Sequence, residues 1–378
     1  MVKKKGWLRR LNNKLHLWLG LSVGLLIVII SLTGCIYVFE RDIRDFTESY
    51  RFIPVENKAM LPPTVLASIA QKKTGLYPSG VQYGTPEEAA AVTYTKKRQG
   101  FTYLYINPYN GVVIREKILN RDFFRIVLAG HYYLWLPPKI GQPVVCITVL
   151  IFVFLLVSGL VMWWPKKWNR ANRKKSFAIS WKARFKRLNY DLHNVLGFYV
   201  LLFALILAIT GLVFGFTWFK KSYYYVITAG KQLTVKKKPL SDTTFSLVTK
   251  DPDSTINKVW KLLMQEYQPV AGTLQISLPV TGTDPIAVTY NPERKTYYKR
   301  VFRYFDRYTG MELAAPTLPR SAGDKIYRMN YDLHVGAAFG ITGKIIAFTA
   351  SLVCASLPVT GFMIWWGRRK KKPTPGSA

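Results

Sequence analysis

Four histidines are the residues of this chain whose type and spacing suggest chemistry. The chain has 378 residues and no histidine other than His16, His131, His193 and His334. His193 and His334 each end the same five-residue sequence, Asn-Tyr-Asp-Leu-His, and all four stand beside long apolar segments. Because imidazole is the commonest metal ligand in proteins, this set indicates metal or haem chemistry.

The apolar segments that carry these histidines are long enough to cross a lipid bilayer as helices. A transmembrane helix needs about 20 predominantly apolar residues. The sequence therefore predicts membrane helices at residues 15–39, 143–164 and 191–219, and a fourth within residues 329–366. We expect a membrane protein built on a four-transmembrane-helix bundle.

The placement of charge predicts the orientation of these helices. The formal net charge is +34, and residues 1–14, 165–190 and 367–378 contain six, ten and five Lys or Arg without one acidic residue. Short basic segments remain in the cytoplasm, so we expect two cytoplasmic tails and a cytoplasmic loop. These segments are expected to contact anionic membrane lipid, and no feature of the sequence indicates nucleic acid binding.

The two long connections, residues 41–125 and 220–328, lie outside the membrane in this topology. Each contains a candidate helix followed by alternating apolar and polar residues, which predicts a small α+β domain. Corresponding strands run into the glycine turns at 107–111 and 306–310. The fold class is thus a four-helix bundle with two duplicated small α+β domains.

Segments 126–142 and the start of 329–366 are predicted to be interfacial. Pro137, Pro138 and Pro143 make the first too broken to form one straight helix with the span, which is expected to start at Pro143. His131 and His334 therefore precede their membrane helices.

The spacing of residues within the helices supports an internal duplication. His16 and Gly34 lie 18 residues apart, as do His193 and Gly211. Thr-Gly pairs recur in the helices and are typical of close helix packing; they are Thr33-Gly34, Thr210-Gly211 and Thr360-Gly361. The sequence Leu32–Cys35 also matches a lipoprotein cleavage box, but the residues that follow Cys35 are apolar and form no polar tether.

With this topology, His16 and His193 lie at the cytoplasmic ends of their helices, and His131 and His334 lie at the outer ends. Two imidazoles alone do not complete a zinc or copper site, and the helices offer almost no other ligands. Haem supplies four nitrogens and needs only two axial ligands. The sequence therefore predicts two haem b sites suited to electron transfer, while the alternative is four interfacial histidines that are hydrogen-bonded to neighbours.

Two carboxylates stand close to these histidines in the sequence. Asp191 and Asp332 each lie two residues before a histidine. They are candidates to orient the imidazoles, and equally candidates to cap the helix N-termini.

Together these features resemble the PepSY-associated transmembrane family over residues 10–367. The outer segments with turns at 107–111 and 306–310 resemble PepSY domains. The helices that end in Gly-x-x-x-Trp-Trp, at 159–164 and 361–366, resemble the membrane helices of that family. The family includes bacterial iron-regulated inner-membrane proteins and ferric-siderophore reductases.

The resemblance implies a dihaem b oxidoreductase of the bacterial inner membrane with both termini cytoplasmic and both outer domains periplasmic. It would reduce an Fe(III)-siderophore or another ferric chelate and would take electrons from a quinol or a cytoplasmic reductase. The haem ligands of the family map onto His16, His131, His193 and His334. No catalytic residue beyond these ligands is identified.

Two other functions remain compatible with the sequence. One is a non-enzymatic PepSY membrane protein that acts as a sensor or a peptidase regulator. The other is a component that binds and takes up haem or siderophore without redox turnover.

Overall fold

The computed structural model describes residues 2–96, 100–165, 167–234, 238–247, 252–267, 272–314 and 321–369. The chain divides into two compact units. The helical unit comprises the chain up to Phe39, Ile126–Tyr223 and the chain from Asn330 onward, and the sheet unit comprises Glu40–Arg125 and Tyr224–Met329. Parts of the predicted basic tails, residues 1 and 370–378, lie outside the described residues.

The elements follow one another along the chain as helices and two groups of four strands. The helices are α1 (Val2–Val38), α2 (Glu40–Thr47), α3 (Pro63–Thr74), α4 (Phe123–Tyr133), α5 (Pro138–Trp163), α6 (Arg170–Phe177), α7 (Phe185–Asp191), α8 (Gly197–Gly215), α9 (Thr217–Ile227), α10 (Pro252–Tyr267), α11 (Ala322–Arg328), α12 (Asn330–His334) and α13 (Gly340–Arg369). The strands are β1 (Gly80–Tyr83), β2 (Ala90–Lys96), β3 (Gly100–Ile106), β4 (Val113–Ile118), β5 (Thr273–Ser277), β6 (Ile286–Asn291), β7 (Val301–Phe305) and β8 (Glu312–Leu313).

Four helical stretches are long and apolar enough to span a membrane, and they are the four that the sequence predicts. They are Gly6–Val38, Pro138–Trp163, Phe185–Gly215 and Ala337–Arg369. Large apolar side chains such as Leu25, Ile147 and Leu202 are exposed on these helices. An apolar exposed surface of this extent suits contact with lipid rather than with water. The chain is therefore a membrane protein.

All four helices differ in extent from the sequence prediction. The first begins at Val2, inside the predicted basic tail, and the fourth ends at Arg369, three residues after the predicted end. The second begins at Pro138, five residues before the predicted start, because proline is well suited to the first turn of a helix; Pro143 is accommodated inside it. The third begins at Phe185 and reaches α8 through a π-helical turn at Leu192–Leu196. It ends at Gly215 because Phe216 has an extended backbone.

The strands of the two outer segments form one continuous antiparallel sheet and not the two separate sheets expected from the sequence. The strand order is β4-β3-β2-β1-β5-β6-β7-β8. At the centre β1 pairs with β5, with Val81 opposite Ile276. Each group of four would otherwise leave β1 or β5 as an open edge, and pairing these two edges satisfies their backbone hydrogen bonds.

One hydrophobic core serves both halves of this sheet. It contains Leu66 of α3, Leu263 of α10, and apolar residues of strands from both halves, including Ile276. Tyr83 and Trp260 meet across the two halves with ring centroids 5.6 Å apart. The sheet unit is therefore expected to unfold as a whole.

Replacement of Ile276 by Ala tests this cooperation between the halves. Ile276 is fully buried, and the truncation should destabilise the sheet unit by about 2–5 kcal/mol. Hydrogen exchange of the full chain should lose protection in β2 as well as in β6. Gln275→Ala, at an exposed neighbouring position, is the matched control. A loss of protection confined to β5–β8 would contradict a shared core.

A cluster of charged side chains lies in the sheet unit, where Arg44 and Lys117 contact Glu48 and Asp122. Arg44 Nη1 is 2.8 Å from Glu48 Oε1, and Lys117 Nζ is 2.9 Å from Asp122 Oδ2. These side chains are only 10% to 14% exposed. Burial disfavours the charged carboxylates, but the hydrogen bonds and charges of the two cations outweigh it and lower the pKa of Glu48 and of Asp122.

The lowered pKa values predict that the sheet unit is destabilised by acid. The unfolded carboxyls titrate near about 4.3 for Glu and 3.9 for Asp, so their stabilising effect is complete above about pH 5. It is lost as the pH falls through the still lower pKa values of the folded protein. Thermal unfolding followed by circular dichroism should show this decrease, and Glu48→Gln should reduce it. Equal melting temperatures at about pH 7 and pH 3 would refute the prediction.

Candidate functional site

The four histidines all lie in the helical unit, and the structure brings them together in two pairs. The ring centroids of His16 and His193 are 6.4 Å apart and their planes are 89° apart. The corresponding values for His131 and His334 are 6.0 Å and 56°. These are the same pairs that the sequence analysis predicts from helix topology.

Four different elements carry the histidines. His16 is on α1, and His193 is in the π-helical turn before α8. His131 is on α4, and His334 is the last residue of α12. These two short helices precede the membrane helices α5 and α13 in the sequence.

Close backbone contacts fold each of these short helices back on the membrane helix that follows. A Cβ at Gly141 would lie 2.1 Å from the carbonyl oxygen of Tyr133, and a Cβ at Gly343 would lie 2.1 Å from that of Gly336. Only glycine fits at these two positions.

The two pairs are far apart along the bundle. His16 and Ile30 are both on α1, and the carbonyl oxygen of Ile30 is 2.8 Å from His131 Nδ1. The 14 residues between them correspond to about 21 Å of helix. The pairs are therefore two separate sites. We call the end of the bundle with His16 and His193 the basic end, because residues 165–190 join its helices there.

Each imidazole lies against a hydroxyl-bearing residue and a glycine of another helix. A Cβ added at the glycine would come within 3.1–3.3 Å of the imidazole Cε1, so the ring occupies the space that glycine leaves. We call these dipeptides seats. They are Ser158-Gly159 for His16, Thr360-Gly361 for His193, Thr33-Gly34 for His131 and Thr210-Gly211 for His334.

The seats fix the hydrogen bonding of the imidazoles. His16 Nδ1 is 2.8 Å from Ser158 Oγ, and His334 Nδ1 is 2.9 Å from Thr210 Oγ1. Both hydroxyls donate their own proton to a helix carbonyl, and they therefore accept from the imidazole. His131 and His193 have a backbone carbonyl oxygen, which can only accept, at 2.8 and 3.1 Å from Nδ1.

All four imidazoles therefore carry a proton on Nδ1. Among the described residues, the hydrogen bonds to these rings end on Nδ1, which leaves each Nε2 lone pair available to a ligand. Histidines that bind metals use the same division, in which one nitrogen donates to the protein and the other coordinates.

Three asparagines on the histidine-bearing helices donate hydrogen bonds to the backbone of the seats. Each lies four residues before a histidine, on the same helix face, and donates to the backbone carbonyl oxygen of the hydroxyl residue at 3.0–3.2 Å. They are Asn12, Asn189 and Asn330. This role is not among the sequence predictions, although the spacing Asn-x-x-x-His occurs three times in the chain and could have indicated it.

Asp191 does not contact an imidazole through any hydrogen bond between described residues. It accepts from the backbone N–H of Ser180 at 3.1 Å and pairs with Arg187 at 2.8 Å. It therefore joins the loop between α6 and α7 to the start of the third membrane helix. Asp332, its counterpart before His334, is fully buried.

A cavity lies beside each histidine pair. The cavity with His16 and His193 has a volume of about 430 Å³, and the one with His131 and His334 about 210 Å³. Their walls are mainly apolar, and Ile27 and Phe152 line both cavities. Mainly apolar cavities with a few oriented polar groups are typical of cofactor sites.

The donor set fits haem better than a bare metal ion. The described residues contain no group of three or more His, Cys, Asp or Glu side chains that would hold a metal ion. Two imidazoles on opposite sides of one iron would place their ring centroids about 6 Å apart, from bonds of about 2 Å and about 1 Å more to each ring centre. The observed spacings of 6.0 and 6.4 Å agree with this value.

The fold and the paired histidines define a membrane protein that combines a four-helix bundle with an antiparallel sheet. A family model described as PepSY-associated TM region matches residues 13–368. The chain therefore belongs to this family, which the sequence analysis identified. A comparison with curated proteins finds no match.

The hydrogen bonds to Nδ1 predict the tautomer of each histidine. Haem-free protein labelled with ¹⁵N-histidine should give four neutral rings protonated at Nδ1. Ser158→Ala should weaken this preference at His16 without abolishing it, because the Ser158 hydroxyl accepts at 2.8 Å and the Leu155 carbonyl oxygen also accepts from the ring. Thr360→Val should leave His193 unchanged, because the Leu357 carbonyl oxygen still accepts its proton. Rings protonated at Nε2 in the wild-type protein would contradict this assignment.

Proposed function

We propose that this protein is a dihaem b oxidoreductase that passes electrons across a membrane and reduces an Fe(III)-siderophore or a similar ferric chelate. The observation that carries this proposal is the geometry of the two histidine pairs. Each pair has a ring separation suited to one iron and borders a cavity. In each ring Nδ1 is held by the protein, and Nε2 has no hydrogen bond from the described residues.

His16 and His193 would be the axial ligands of one haem, and His131 and His334 those of the other. When bound, haem supplies an iron that alternates between the ferric and ferrous states. The hydroxyl and carbonyl acceptors at Nδ1 make each imidazole a stronger ligand and hold its orientation. Two histidines held at each haem would favour electron transfer over oxygen chemistry.

The bundle also supports a path across the membrane. The two pairs stand about 21 Å apart along α1, which is most of the roughly 30 Å hydrocarbon layer. Phe152 and Ile27 fill the space between the two cavities. Electrons would enter at one pair and leave from the other.

The distribution of charge along the chain supports the direction of electron transfer that we propose. The basic end would face the cytoplasm of a bacterium, with both termini inside, and would receive electrons from a quinol or a cytoplasmic reductase. The sheet unit would lie in the periplasm, where the ferric chelate is reduced and its metal released. The mirrored strand order and the four seats suggest that a helix, domain and helix unit was duplicated.

Single histidine replacements test this proposal. The purified full chain should contain about two haems b and show a sharp reduced absorption band. His193→Ala should lose the haem of the basic end and retain the other, and His334→Ala should do the opposite. The dithionite-reduced wild type should be reoxidised by Fe(III) chelates. Because dithionite reduces either haem directly, His193→Ala should keep this reaction at its remaining haem, and His334→Ala should lose it because it removes the haem that delivers electrons to the chelate.

Three outcomes would contradict the proposal in different ways. A protein that is colourless after expression with ample haem has no haem function and directs attention to the sheet unit as a sensor or peptidase regulator. Haem content that is unchanged in His193→Ala refutes the ligand assignment. Haem that stays reduced in the presence of Fe(III) chelates refutes the reductase activity and favours binding or uptake.

A further inference from the structure

The two cavities differ in the charge of their walls. Arg9 of α1 and Arg368 of α13 line the cavity with His16 and His193. The cavity with His131 and His334 is lined, among the described residues, by no Lys, Arg, Asp or Glu side chain. Its polar lining consists of neutral groups such as Gln142 and Tyr132.

The two arginines occupy equivalent places relative to the histidine pair. Arg9 lies seven residues before His16, and Arg368 lies seven residues after Gly361, the seat of His193. Seven residues are about two helical turns, or about 10 Å, and return to nearly the same helix face. Both guanidinium groups therefore stand beyond the histidine pair, toward the end of the bundle.

Neither arginine is paired within the described part of the chain. No hydrogen bond, ion pair or ring contact between described residues involves the side chain of Arg9 or of Arg368. Their sequence neighbours differ, because Arg10 donates to the Gly6 carbonyl oxygen and Arg369 lies over the Trp365 ring. The described segments 6–14 and 367–369 also contain no acidic residue.

We infer that the site of His16 and His193 takes its haem in one orientation, with the two propionates at the basic end beside Arg9 and Arg368. A porphyrin of the b type has both carboxylates on one edge, and a guanidinium group binds a carboxylate through paired N–H donors. The two arginines come from different helices and so can each meet one propionate. This inference rests on the proposed haem function and adds two binding residues to it.

The site of His131 and His334 has no equivalent arginines among the described residues that would bind the haem carboxylates. Its neutral lining gives the porphyrin edge no ion pair, so apolar contact and the axial ligands dominate binding there. The two sites therefore differ in their response to removal of the propionate charge.

The experiment compares haem b with its dimethyl ester, in which both propionates are uncharged. Haem-free full-length His334→Ala protein, which keeps only the site of the basic end, is titrated with each compound. Each partly exposed ion pair contributes about threefold in affinity, so the ester should bind about tenfold more weakly. Combining Arg9→Gln with Arg368→Gln should abolish this difference. The control Arg10→Gln with Arg369→Gln removes the same charge and should retain it.

A second measurement avoids the His334→Ala background. In the two-haem protein, Arg9→Gln with Arg368→Gln should lose about one haem per chain on prolonged dialysis, while the Arg10 and Arg369 control keeps both. Equal binding of haem b and its ester, or equal haem loss in the two arginine double variants, would overturn the inference and leave the proposed function intact. A parent protein that binds no haem would overturn both.

Discussion

A buried imidazole must find a hydrogen-bond partner, and this requirement organises the helical unit. The seats provide that partner on a neighbouring helix, because a Ser or Thr hydroxyl or a backbone carbonyl accepts the Nδ1 proton beside a glycine that makes room for the ring. The exchange is reciprocal. The histidine of the first membrane helix lies against the seat on the second, and the histidine of the short helix before the second lies against the seat on the first. The third and fourth membrane helices have the same arrangement. Four imidazoles thereby fix the register of four helices.

The same constraint prepares the histidines for a ligand. Apolar helices in lipid gain little from burying apolar side chains against one another, so their packing depends on small residues and on polar contacts of this kind. Those contacts hold Nδ1 and leave Nε2, so helix packing uses one side of each ring and the proposed haem would use the other. The asparagines four residues before three of the histidines strengthen this arrangement at the backbone of the seat.

The sequence predicted the parts of this architecture that depend on composition and period. The length of the apolar segments predicts the four membrane helices. The distribution of charge predicts the orientation of these helices, and the orientation predicts which histidines lie at the same end of the bundle. Strand pairing between β1 and β5 was missed, since nothing in either strand alone specifies which distant edge it will join. Three of the four seats are visible in the sequence as Thr-Gly pairs, which predict close helix packing and not an imidazole contact, because a glycine that admits a helix and one that admits an imidazole look the same in sequence. The fourth seat, Ser158-Gly159, does not share the Thr-Gly pattern. The start of the second membrane helix was misplaced because a proline can either break a helix or occupy its first turns.

The central claim is that each histidine pair coordinates one iron through both of its rings. Electron paramagnetic resonance of the oxidised, purified full chain tests it most directly, because the signal reports the two axial ligands of ferric haem. We predict two low-spin signals of the type given by two imidazoles, and the loss of one of them in His16→Ala and of the other in His131→Ala. A protein without haem signals, or one with high-spin iron in the wild type, would contradict the account.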